Sequence, residues 1–358
     1  MGSRVTEVVA QELGLTEFKE YPPRVSMLGV TSVEIESDSD KHYRLYLVKD
    51  SNEEVTNSLE ECAKLCAYYN SRFVLQYVRT NKIDYPVGEL QINFQIEDGT
   101  QNHSVFVLQV PKGQQLKHEL SLEELTVVAE NIAKLHGKTA ETLGKEFYGT
   151  IKANYTNVQL YEKQVSQEVT SILKQSVTGE LAQYFSRPHD VAEMLDCLSN
   201  NEGREHEEIP YSEVICHGNL TAHNCVFGEL KRDLVEITDW ESVHFGDPTE
   251  DLTSLILTSA DIGTRRNHFM KIFRAYYYAL IEVRPLKFNL TNLKSLYRRN
   301  MKKVVLSSVE SVLNTLSGNT TIEEKTQMAK RWEAALFDVY HFEFGDYISD
   351  DEQCYFEK

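Results

Sequence analysis

The sequence lacks any apolar run approaching membrane-spanning length, so no transmembrane helix is expected. Basic residues are scarce: 37 Lys and Arg stand against 55 Asp and Glu, for a net charge of −18. A surface this acidic repels phosphate backbones, which argues against a nucleic-acid partner and leaves only local basic pockets for a nucleotide. Paired C-x-x-C spacings are missing, which weakens a zinc-site reading. Neither G-x-S-x-G nor H-E-x-x-H occurs, and with them go two hydrolase classes. No internal repeat or low-complexity tract appears. Cys62, Cys66, Cys197, Cys216, Cys225 and Cys354 are scattered through a long chain without a recognisable signal peptide, and predict a reduced, cytoplasmic protein. Gly2 and Thr6 match an N-acylation pattern, but one this short matches by chance, and a single acyl chain anchors only marginally.

What is present reads as globular. The chain has 358 residues, 41% hydrophobic and 26% charged, enough for two lobes and a sizeable core. Residues 5–20 begin amphipathically, with Val5, Val8, Val9 and Leu13, and predict a helix ended by Tyr21-Pro22-Pro23. Residues 25–36 are β-like. In 43–49, alternation places Tyr43, Leu45, Leu47 and Lys49 on one strand face. Residues 52–69 carry Val55, Leu59, Cys62, Cys66 and Tyr69 at helical spacing, with Glu54 and Glu61 on one margin and Glu60 on the other. Strands are expected at 73–78, 90–97 and 105–110, the last two joined by an Asp98-Gly99 turn. Beyond about residue 113 helices dominate. The strongest spans 121–138, opened by a Ser121/Glu124 capping box. Residues 150–210 are polar and helix-rich, and further helices are expected at 264–283, 291–315 and 321–342. The tail 347–358 reads as peripheral.

The most informative stretch is Cys216-His217-Gly218-Asn219-Leu220-Thr221-Ala222-His223-Asn224, followed by Ile237-Thr238-Asp239-Trp240-Glu241. Short apolar runs enter both pieces, so polar groups gather at strand ends on rigid supports. Asp247-Pro248-Thr249-Glu250 then opens a helix, with Asp247 suited to the N-cap.

His217, Gly218, Asn224, Asp239, Trp240, Gly246, Pro248, Asp251 and Leu252, in that order, resemble the signature of the aminoglycoside-phosphotransferase and choline-kinase group, and within it the CHK-type, ecdysteroid-kinase-like branch. The resemblance implies an α+β, two-lobed protein-kinase-like fold, with a sheet lobe over 1–112 and a helical lobe over 113–358, and a hinge at Pro111-Lys112-Gly113. It implies ATP and Mg2+ as cofactors and a small alcohol as acceptor. Lys49 would bind phosphate, paired with Glu54, Glu60 or, by preference, Glu61. Asp239 and Asn224 would hold the metal, His217 would orient the loop, and Asp251 would steady it. His136, ending an Ala133-x-Leu135-His136 segment, reads as structural. The insertion 150–210 would flank the acceptor.

Two departures stand out. The residue that is a catalytic aspartate in the family is Asn219 here, and an amide cannot take a proton as a carboxylate does. The segment at the phosphate-covering position, residues 27–32, holds only Gly29, where several glycines would let backbone N–H groups approach phosphate. The sequence therefore predicts a weakened phosphotransferase. The alternative is a pseudokinase that binds nucleotide or a partner without turnover.

Overall fold

In the computed structural model, residues 2–26, 28–50, 58–98, 101–111, 117–142, 145–205, 208–230, 232–285 and 289–345 are described. Helix α1 (Gly2–Glu12) is shorter than expected. Gly14 at φ +70 stops it in a Schellman arrangement, Leu15 N–H donating to the Ala10 carbonyl and Gly14 N–H to that of Gln11. The end of the expected helix is instead strand β1 (Phe18–Glu20). Thr6 is buried and donates to Glu20 across this corner.

Strands β1, β2 (Arg24–Val25), β3 (Thr31–Ser37), β4 (His42–Asp50), β5 (Glu89–Asp98) and β6 (Gln101–Val110) form one antiparallel sheet. Its order is β1-β3-β4-β6-β5, with β2 beside β3. The outer face packs Val33, Ile35, Tyr43, Leu45, Leu47, Val105 and Val107 under Val5 and Val9 of α1. The inner face offers Tyr46, Val48, Phe106 and Leu108 to helix α2 (Leu59–Thr80) and to the helices beyond it, in one continuous core. Residues 73–78, expected as a strand, are the C-terminal half of α2. Ala63, Ala67, Ser71, Val74 and Val78 recur every three or four residues on its buried face, and this period overrides the β-propensity of Phe73 and Val74. Helix α2 is N-capped by Ser58; residues 51–57, Glu54 and Val55 among them, lie outside the described residues. So do Gly99, Lys112, Gly113 and the tail.

The C-terminal part is helical: α3 (Leu122–Thr142), α4 (Lys145–Val177), α5 (Pro188–Asn200), α6 (Glu250–Ser259), α7 (Ile262–Val283), α8 (Leu290–Ser307), α9 (Val309–Ser317) and α10 (Ile322–Phe344). The Ser121/Glu124 capping box is present at α3. The single helix expected over 291–315 is broken at Ser308, whose hydroxyl donates to the Val305 carbonyl and accepts the Trp332 indole N–H. Short strands β7 (Val214–Cys216), β8 (Cys225–Phe227), β9 (Leu234–Ile237) and β10 (His244–Gly246) pair antiparallel as β7–β10 and β8–β9. These two ladders hold the polar loops against the inner side of the sheet.

Candidate functional site

Strand β7 delivers His217 into the interior, where its ring and the N–H groups of His217, Gly218 and Asn219 all find partners. The Asp251 carboxylate accepts from His217 N–H at 2.8 Å and from Gly218 N–H at 3.0 Å. His217 Nδ1 accepts from Asn219 N–H at 3.3 Å, so Nε2 carries the proton and donates to the Thr238 carbonyl at 2.7 Å. Burial holds this imidazole below its ordinary pKa and keeps it neutral. Burial would raise the Asp251 carboxyl, but His136, His217 and these N–H bonds outweigh it and leave it lowered. His136 Nε2 lies 3.7 Å from Asp251, and its Nδ1 pairs with the Tyr276 hydroxyl at 2.8 Å, a supporting place below the loop. Gly218 has φ +85, and a Cβ there would meet the Ser242 carbonyl oxygen at 2.2 Å. Only glycine fits that turn.

Asn224 donates Nδ2 to the Asn219 carbonyl at 2.7 Å, which leaves Oδ1 as an acceptor. Its own carbonyl accepts from Thr238 N–H at 2.9 Å, tying the loop to the end of β9. There Asp239 adopts φ 59, ψ 59, a left-handed conformation uncommon for a side-chain-bearing residue and typical of functional sites. Trp240 anchors the turn: its indole donates to the Ile237 carbonyl and its ring packs on His217. Asp239 is exposed and borders two cavities.

The first cavity, about 250 Å³, runs from Asp239 under the sheet past Ser26, Glu34, Arg44 and Glu241. Lys49 is not part of it. Tyr43, Leu45 and Leu47 face α1, and Lys49 shares their parity and ends exposed. Lys49 therefore faces away from the cleft that Asp239 borders, and the phosphate-binding place expected for it is not met. Glu60 and Glu61 are also exposed, in the first turn of α2, and Glu61 serves there through its backbone N–H to Ser58. The cation beneath the sheet is Arg44, on the other face of β4. It pairs with Glu236 at 2.9 Å and Glu34 at 3.1 Å. Burial pushes the Glu236 carboxyl up to about 7 against the pull of Arg44, and the Glu241 carboxyl, beside Asp239, up to about 8. Lys64 of α2 attracts Glu241 and passes Gly29, whose Cβ position lies 3.5 Å from its side chain. In the covering loop, Ser26 and Gly29 N–H groups are spent on the Val30 and Ser26 carbonyls, and Val30 N–H on the Ser26 hydroxyl.

The second cavity, about 360 Å³, opens on the other side of Asp239 and Asn219. Helix α4 supplies Tyr155, Tyr161 and Glu162, and the α8–α9 corner supplies Lys303, Ser307 and Glu310. Arg44, Lys64, Glu236, Glu241 and Glu162 were not singled out from sequence. For Arg44 a signal existed: it is the only charged residue at the alternate positions 44, 46 and 48.

No curated protein matches the sequence. The family profile described as "Uncharacterized oxidoreductase dhs-27", DUF1679, matches residues 49–342. Among solved structures, the spectinomycin phosphotransferase APH(9)-Ia in complex with ADP and spectinomycin has a TM-score of 0.53 at 10% identity, covering 93% of this chain and 96% of that one. The amicoumacin kinase hAmiN in complex with AMP-PNP, Ca2+ and Ami has a TM-score of 0.50 at 9% identity, covering 94% and 96%. At these identities the likeness is one of fold. That fold, an antiparallel sheet followed by a helical part, differs from the parallel sheet of a dinucleotide-binding oxidoreductase. With most of its length matched, the chain belongs to the DUF1679 family, the ecdysteroid-kinase-like family, and has the kinase-like phosphotransferase fold.

Proposed function

We propose that the protein is a nucleotide-binding, small-molecule phosphotransferase whose turnover is weakened by Asn219. The observation that carries this reading is the closed network of Asp251, His217, Asn219, Asn224 and Thr238, which presents Asp239 between two cavities. A nucleoside triphosphate would lie in the cavity under the sheet, its phosphates directed to Asp239, and an alcohol would enter the cavity beside α4. Arg44 and Arg24, both lining that cavity, would meet phosphate charge, the role the sequence had suggested for Lys49. The donor set fits a hard divalent cation such as Mg2+: Asp239 offers an exposed carboxylate and Asn224 an amide oxygen that accepts no hydrogen bond among the described residues. When bound, such a cation would neutralise phosphate charge in a cleft otherwise rich in carboxylates. His217 and Asp251 would act by holding the Asn219 backbone in place.

Asn219 can orient an alcohol but cannot accept its proton. A loose transition state tolerates late proton removal, so the expected result is a slow enzyme. Binding without turnover is the second reading, favoured by the covering loop, where the Ser26, Gly29 and Val30 N–H groups are spent within the loop itself.

The test is Asn219→Asp. The two side chains are nearly isosteric, and the backbone bonds of residue 219 are untouched. ATP consumption should rise at least tenfold, toward the roughly 10²–10⁴ that a general base supplies. A wild type already turning over at an ordinary kinase rate, about 1–100 s⁻¹, with no gain in the variant, would contradict the weakened-enzyme reading. Nucleotide binding with no turnover in either protein selects the second reading.

A further inference from the structure

The acceptor-side cavity holds a carboxylate that the site as described leaves without a task. Glu162 projects from α4 into the cavity that Asn219 and Asp239 border. Its Oε1 accepts a hydrogen bond from the Ser242 hydroxyl at 2.7 Å, the only one its side chain makes among the described residues. Ser242 is in turn pressed against the catalytic loop: its Cβ lies 2.9 Å from where a Cβ on Gly218 would be. Glu162 is thus one side chain away from the backbone that carries Asn219.

The charged groups facing it are already committed. Glu250 pairs with His244 at 3.1 Å and with Lys303 at 2.6 Å, so neither is a direct ion-pair partner of Glu162 among the described residues. Glu310 faces it from α9, and Tyr155 and Tyr161 flank it on α4. Burial raises the Glu162 carboxyl above its ordinary value, while Ser242, His244 and Lys303 restrain the rise. A carboxylate in such surroundings is a stronger proton acceptor than one in water.

We infer that Glu162 accepts the acceptor's hydroxyl proton in place of the carboxylate missing at Asn219. The inference rests on the phosphotransferase reading above. In the step, the alcohol O–H bond breaks and its proton passes to a Glu162 oxygen. The alcohol oxygen bonds to the γ-phosphorus of ATP, and the bond from that phosphorus to the β,γ-bridging oxygen breaks, leaving ADP. Glu162 then returns its proton to solvent through the open cavity.

The test compares wild type, Glu162→Gln, Asn219→Asp and the double variant. Two readouts are taken: calorimetric binding of ATP with Mg2+, and ATP consumption with water and then glycerol as acceptor. Glu162→Gln is expected to lower turnover about 10²-fold or more, with nucleotide affinity unchanged within twofold. It should also abolish the acid limb of the pH–rate profile, which a merely structural side chain would not set. Asn219→Asp should restore turnover in the Glu162→Gln background, and gain more there than in wild type, because the two carboxylates supply the same function. The proposal is overturned if Glu162→Gln turns over like wild type, if Asn219→Asp fails to restore the loss, or if wild type binds ATP but consumes none. A protein that binds no ATP removes the phosphotransferase reading itself, and this inference with it.

Discussion

Asp251→Asn isolates the charge that holds the His217–Asn219 turn. The buried carboxylate accepts two backbone N–H groups, at 2.8 and 3.0 Å, through separate oxygens. The amide keeps one acceptor oxygen and turns an NH2 group toward the other N–H. One buried donor is then unsatisfied and the remaining bond loses its charge assistance, a combined cost of about 2–4 kcal/mol. The sign with pH follows from the lowered carboxyl. Its stabilisation is complete above the unfolded value near 3.8 and is lost as pH falls through the lower folded value. The penalty should therefore be full at neutral pH and shrink in acid. Urea unfolding at pH 7, followed by tryptophan fluorescence, should show a midpoint lowered by roughly 1 M, given a slope of about 3 kcal/mol/M for a chain this size. A midpoint within about 0.2 M of wild type would refute the assignment of Asp251 as the loop's anchor.

Two of the left-handed glycines, Gly218 and Gly29 (φ +77), should separate by what surrounds them. Gly218→Ala meets the Ser242 carbonyl at 2.2 Å and must displace the loop, so ATP turnover should fall at least tenfold, whereas Gly29→Ala faces only the Lys64 side chain at 3.5 Å and should cost about 1–2 kcal/mol of backbone strain; urea midpoints and turnover measured together distinguish them. Arg44→Met should destabilise by about 3–5 kcal/mol by stranding Glu236, and Glu236→Gln in addition should recover much of that. Lys49→Ala should leave ATP affinity unchanged, and a tenfold loss of affinity there would restore Lys49 to the site.

The turn was legible in sequence because it is local: a glycine-bearing polar turn between apolar strand ends. The helix start was read two residues early: Thr249, not Asp247, precedes α6, and Asp247 accepts from the Thr249 N–H instead. Helix α3 was legible for the same reason, its Ser121/Glu124 box lying within one turn. The non-local facts were not. Alternation in β4 gave two faces, but only the docking of Val5 and Val9 decides that Leu45 faces away from the cleft and Arg44 toward it. The strand expected at 73–78 failed because a short apolar run fits either period until its partners are known. Glu162 sits in a 33-residue helix with no sequence mark that sets it apart.

The central claim is that Asp239 and Asn224 receive a cation-bound nucleotide in the cleft under the sheet. Isothermal titration of ATP into wild type and Asp239→Asn, each with Mg2+ and with a chelator, tests it most directly. The Asp239 and Glu34 carboxylates line the site, so a triphosphate without its metal should bind poorly. Wild type should bind with Mg2+, with at least a tenfold loss on either removing the metal or replacing Asp239. Equal affinity in all four titrations, or no heat in any, would contradict it.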